Sequence, residues 1–175
     1  MLAHIVRRFI TRLLSVLILT CGATAAAQTA DPFLTVPPRY VLQPLPYRFD
    51  KPVSLLSVPD DGDRLLVVEL GGLVIAVDDG VPDERPFLNL VSRVTALQGE
   101  QGMYSVAVEP RASAVRHGRG RFVYAAFTEK VTGDLIVARY PLDEVTGKAA
   151  AAEERVILRV SVTEPFHHGG HLEFG

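Results

Sequence analysis

The sequence predicts an all-β chain, a β-propeller of which about two blades and the start of a third are present. Three observations predict it. Short runs of β-branched and aliphatic residues are separated by Gly- and Asp-rich turns. The runs come in two cycles that can be laid on each other. The composition, 48% hydrophobic against 22% charged over 175 residues, excludes disorder and supports a packed body.

The elements follow in order. Residues 1–27 carry Arg7, Arg8 and Arg12, then the apolar run Leu13–Leu19, then small residues ending in Ala25-Ala26-Ala27. That is the layout of a secretory signal peptide cleaved before Gln28. A membrane anchor is the alternative, but the uncharged run is short for the ~30 Å of a bilayer core. Cys21 follows Thr20 where a lipoprotein signal carries a smaller residue, which makes a lipoprotein the lesser variant. Arg7-Arg8-Phe9 is an incomplete twin-arginine motif. The expectation is a bacterial periplasmic or secreted protein with no stable membrane span after cleavage. Residues 28–52 form a leader. Six prolines between Asp31 and Pro52 exclude a regular helix or a central strand there.

The partial propeller is expected over 53–175. Val53–Val58 is a short apolar strand closed by the turn Pro59-Asp60-Asp61-Gly62-Asp63. Arg64–Leu70, Gly71-Gly72, Leu73–Val77 and Asp78-Asp79-Gly80 read as antiparallel hairpins. These make a first blade of about 53–90. A second, about 103–161, holds Met103–Val108, Arg121–Phe127, Leu135–Tyr140 and Arg155–Val160. Ser54–Pro59 matches Ser105–Pro110 at an offset of 51 residues, and Leu73–Ala76 matches Leu135–Ala138 at an offset of 62. Repeats of ~40–50 residues with about four strands each are the mark of propeller blades. A β-sandwich also supplies short strands with frequent turns, and the recurring pattern favours the propeller over it. Ala149–Glu154 reads as a solvated loop or one helical turn. Residues 167–175 read as the start of a third blade. Two blades do not close a ring, so the chain is expected to be the front part of something longer.

Composition also excludes functions. The formal charge is −2, and no acid offsets the three arginines before Gln28, so the body is more acidic than that figure. With no Lys/Arg stripe, nucleic acid is not an expected partner. The single Cys excludes a disulfide framework and any CxxC site for zinc or redox chemistry.

Two motifs remain, each ahead of an expected inner strand. Gly99-Glu100-Gln101-Gly102 is either a plain β-turn with solvated side chains or a tight backbone that presents a carboxylate and an amide. His167-His168-Gly169-Gly170-His171 places three histidines in five residues. Central glycines argue against a helical zinc motif, and a strand would align only His167 and His171, which leaves zinc short of a third ligand. A histidine at a propeller mouth suits general-base work, because neutral imidazole accepts a proton readily near pH 7. A hydrogen-bonded loop histidine is the plain alternative.

Four segments in order, PVSLLSVPDDGDRLLVVELGGLVIAVDDG, GEQGMYSVAVEP, GRFVYAAFTEKVTGDLIVARY and HHGGHLEFG, resemble the glucose/sorbosone dehydrogenase family, the soluble aldose sugar dehydrogenases that depend on pyrroloquinoline quinone (PQQ). The resemblance runs from about Pro52 to Gly175. It implies a six-bladed propeller that binds PQQ and calcium at the mouth of its channel. It also implies oxidation of the anomeric hydroxyl of an aldose to a lactone, with an external electron acceptor. By resemblance, His167 is the general base, and Glu100, Gln101 and His168 line the substrate and cofactor pocket. The main PQQ and calcium ligands are expected beyond residue 175, with no metal ligand assigned within the chain. The sequence departs from the family pattern at Met103-Tyr104-Ser105, where two leucines and a glycine are usual. It departs again at Glu109 in place of His, at His168 in place of Asn, and at His171 where a polar or basic residue is common. A non-catalytic propeller that binds protein or carbohydrate is the alternative function.

Overall fold

The computed structural model describes residues 41, 44–111, 120–143, 145–164 and 166–174. The expected signal peptide, Cys21 within it, and the leader up to residue 40 lie outside the described residues. From Pro44 onward the chain forms two antiparallel sheets.

The first sheet contains β1 (Pro52–Ser57), β2 (Leu65–Glu69), β3 (Leu73–Asp78) and β4 (Val81–Pro82) in that order, with β5 (Leu88–Asn89) also paired to β3. The β3–β4 turn is Asp79-Gly80. Both residues have positive φ, 50° and 78°, the left-handed pair that a two-residue hairpin needs to match strand twist. Arg64 closes the β1–β2 turn by a two-pronged bond to Asp78, 2.8 and 2.9 Å, and a third to Asp61.

The second sheet runs β10 (Arg155–Val160), β8 (Leu135–Asp143), β7 (Phe122–Thr128) and β6 (Met103–Val108), with β9 (Lys148–Ala149) on the end of β8. A 3-10 turn at Ala151–Glu153 leads into β10. The strands related by the sequence repeat occupy equal ranks: counted from β1 in the first sheet and from β6 in the second, β3 and β8 both come third. The chain is thus an all-β protein with the sheet pattern of a partial β-propeller. Residues 171–174, expected to open a third blade, join no ladder and lie along β1 and β6.

The core lies between the sheets. Alternation along β8 buries Ile136, Ala138 and Tyr140 and leaves their neighbours half-buried, the period-2 pattern of a sheet with one packed face. They meet Leu66, Val68, Val74 and Ala76 of the first sheet, with Phe87, Leu88 and Leu90 filling the gap. Full burial of each large side chain contributes about 2–3 kcal/mol. The opposite faces are less covered. Val53 and Leu55 of β1 and Val156, Ile157, Leu158 and Val160 of β10 are exposed.

Charged groups tie the second sheet to the connection from the first. Arg93 bonds Glu129 at 3.0 Å and Glu154 at 2.6 and 3.1 Å. Arg159 bonds Glu129 and Asp134, and the Tyr140 hydroxyl donates to Glu154. Glu129 is buried, and its bonds to Arg159, Thr132 and Arg93 lower its pKa from 4.5 to about 2. Burial pushes Glu154 up, but its bonds to Arg93 and Tyr140 bring it below the ordinary carboxylate value.

Candidate functional site

The two motifs singled out in the sequence meet in space. Glu100 stands in the loop before β6, and its Oε2 accepts the backbone N–H of His167 at 2.8 Å and of His168 at 3.3 Å. The loop is held from both sides. Gln101 N–H donates to Gln98 O, Met103 N–H to Leu70 O, and Thr128 N–H to Gly102 O. Gly102 has φ 155°, and a side chain there would collide with Leu70, so the sheet can be entered at that point only by glycine. The Gln101 amide sits beside Gly133 in the β7–β8 turn.

His167 has φ 66°, a left-handed conformation uncommon for a residue with a side chain, and its amide is fixed there by Glu100. Its imidazole is exposed and makes no hydrogen bond among the described residues. His168 is the opposite case. Its Nδ1 lies 2.9 Å from the Tyr104 hydroxyl and 3.3 Å from Thr128 Oγ1, and its Nε2 lies 2.8 Å from Glu164 O. A carbonyl only accepts. Neutral His168 therefore carries its proton on Nε2 and accepts at Nδ1. Adjacent histidines are thus sorted into a free imidazole and a fixed one. His171 is exposed and, among the described residues, reaches only Glu173, at 3.5 Å.

Three further residues hold the turn, and sequence reasoning gave none of them this role. Tyr104 lays its ring over Gly170, where an added Cβ would come within 2.6 Å of it, and bonds Thr128 Oγ1 through its hydroxyl. Ser105 Oγ donates to Gly170 O and accepts Leu172 N–H at 3.0 Å. Thr128 ends β7, fully buried. Tyr104 and Ser105 were visible as departures from the family pattern. Thr128 had no sequence signal.

Tyr104 reaches the turn because of a bulge. Met103 pairs with Phe127 and Ser105 with Ala126, which leaves Tyr104 as an extra residue in β6. A bulge turns its side chain away from the regular alternation. Burial pushes the Tyr104 phenol pKa up, so the hydroxyl keeps the proton it donates.

The arrangement can present one unbonded imidazole, on a strained and anchored backbone, to a hydroxyl-bearing ligand. Its described residues do not by themselves make up an acidic calcium site or a cationic cradle for a carboxylated quinone. No three His, Cys, Asp or Glu side chains among the described residues could share a metal ion. Residues 164–174 contain no Arg or Lys, and one oxygen of Glu100, the acid bonded to the turn, is committed to two amides.

No family model matches the chain, and no curated protein does. Among solved structures it is similar to a protein of Thermus thermophilus assigned as an oxidoreductase (glucose dehydrogenase). The TM-score is 0.53 and the identity 24%, over 72% of this chain and 34% of that one. The chain thus spans about a third of that protein's length. At this identity the likeness shows a shared fold.

Proposed function

We propose that the chain forms the N-terminal part of an exported PQQ- and calcium-dependent dehydrogenase that oxidises the anomeric hydroxyl of an aldose to a lactone, with His167 as the general base. The observation that carries this reading is the free His167 imidazole on a backbone pinned by Glu100 across 67 residues of sequence. A general base must be within reach of the proton it removes, with a vacant lone pair, and His167 meets the second condition where His168 does not. The resemblance of four segments to glucose/sorbosone dehydrogenases supports the reading, as does the structural likeness to a protein named as a glucose dehydrogenase.

In this account His167 takes the proton from the anomeric hydroxyl, and Glu100 and the glycines of the turn set where the imidazole stands. PQQ, when bound, would supply a two-electron acceptor for the hydride, and its reoxidation would need an external electron acceptor. The contacts that hold PQQ and calcium are assigned to other parts of the enzyme. The exposed apolar faces of β1 and β10 are the surfaces that flanking sheets cover in a propeller.

The test is a titration of the enzyme with PQQ in the presence of calcium, followed by addition of an aldose. The expected result is a change in quinone absorbance on binding, its bleaching by the sugar, and release of lactone. No change on titration would overturn the reading and favour a non-catalytic propeller.

A further inference from the structure

We infer that Tyr104, placed by the β6 bulge and backed by Thr128, is a positioning residue that anchors the His168 ring, whose tautomer the Glu164 carbonyl sets, and thereby holds the turn that presents His167. The significance of that turn for catalysis rests on the reading above; the relay itself does not.

The Glu164 carbonyl fixes the proton on His168 Nε2, which leaves Nδ1 to accept from the Tyr104 hydroxyl at 2.9 Å, with Thr128 Oγ1 bonded to the Tyr104 oxygen and 3.3 Å from the same Nδ1. The relay begins on a fully buried strand residue and ends on the segment before the histidines, so it ties a loop to the rigid sheet. Its ring component is independent of its hydroxyl. The Tyr104 ring abuts Gly170, and Ser105, next in the strand, bonds Gly170 O and Leu172 N. Both sides of the 167–170 turn are therefore anchored on consecutive residues of β6, and Glu100 caps it from the loop before. The bulge explains why consecutive residues serve one segment, since regular alternation would send Tyr104 and Ser105 to opposite faces.

Tyr104→Phe separates the two components, because it keeps the ring over Gly170 and removes the hydroxyl. The measurement is ¹⁵N NMR of the imidazoles in the full chain, with His168 identified by its loss in His168→Gln. In the unmodified protein the His168 ring is expected to show the Nε2–H tautomer alone. In Tyr104→Phe the Glu164 carbonyl keeps that tautomer, but the His168 Nδ1 resonance is expected to move towards that of a more weakly bonded nitrogen, and hydrogen exchange at the His167 amide is expected to rise about fivefold, the effect of one lost hydrogen bond. Thr128→Ser keeps the hydroxyl and should retain the original spectrum, which checks the relay in a second variant. A His168 spectrum unchanged by Tyr104→Phe would overturn the inference, as would an Nδ1–H tautomer in the unmodified protein. This readout needs neither PQQ nor sugar. Loss of the dehydrogenase reading would leave the relay standing, and loss of the relay would leave His167 to be tested by turnover.

Discussion

The strands β1 and β6 are the same piece of architecture used twice. They stand 51 residues apart, and each carries a bulge at the matching place, Val53 in one and Tyr104 in the other. The backbone ahead of each bulge has positive φ, at Lys51 and at Gly102. Each of these residues accepts an amide from the partner strand's end, Leu70 N–H to Lys51 O and Thr128 N–H to Gly102 O. The φ values are not the same, 49° at Lys51 and 155° at Gly102, and the side chains differ as well. The first sheet puts Val53 and Leu70 at these positions, and Val53 is exposed with nothing to hold. The second puts two hydroxyls there, Tyr104 and Thr128, and aims them at a histidine. The bulge is therefore a property of the repeated scaffold, and one copy carries two hydroxyls that bond a histidine.

The second sheet differs again one residue beyond Thr128. Where the first sheet turns back through Gly71-Gly72, the second carries Glu129 in a longer turn, with two arginines and Thr132 on its carboxylate. Glu129→Gln is expected to have the largest effect on stability, a loss of about 2 kcal/mol, because Arg93 and Arg159 lose a shared charge partner at a buried oxygen. That loss is below the full cost of breaking a buried pair because both arginines keep water contact. Acid should mimic the change. The folded-state pKa of Glu129, about 2, lies below its ordinary value of 4.5, so its stabilisation is complete above 4.5 and is lost as pH falls towards 2. The melting temperature is expected to hold from neutrality to about pH 5 and then drop. In Glu129→Gln that drop should be shallower. An equal acid slope in the variant would remove Glu129 as the source.

Exchanging the residues at the two bulges probes the difference between the strands themselves. Tyr104→Val gives β6 the residue of β1 and is expected to cost about 1–2 kcal/mol, from lost ring packing on Gly170 and two lost hydrogen bonds. Val53→Tyr should change stability by less than about 0.5 kcal/mol, since the side chain there is exposed. Equal effects in chemical denaturation would show that the copies do not differ as described.

Much of the scaffold was legible in the sequence. Arg155–Val160 is a strand with the expected ends, and Asp79-Gly80 makes the expected hairpin, because a turn that needs two positive φ values leaves few residue choices. The strands β4, β5 and β9 escaped because two residues carry no periodicity. The segment 149–154, read as a loop or a helical turn, contains that turn but also delivers Glu154 to Arg93 and Tyr140. Its composition gave no hint of a partner 61 residues away. At the site, Glu100 and His167 were legible as types and by resemblance. That Glu100 serves backbone amides was not, nor that one histidine of the pair is bound and the other free. Those facts depend on a bulge and a left-handed residue, which set side-chain direction and leave no mark in a hydrophobic pattern.

On the proposed dehydrogenase reading the adjacent histidines do different work, and turnover measured with PQQ and calcium would separate them. His167→Asn and His168→Asn would be compared at saturating aldose, with PQQ binding checked in each. A fall in kcat of about 10²-fold or more is expected for His167→Asn with PQQ still bound, the effect of removing a general base, and a distinctly smaller fall for His168→Asn. Unchanged turnover in His167→Asn, or a larger loss in His168→Asn, would contradict that division of roles.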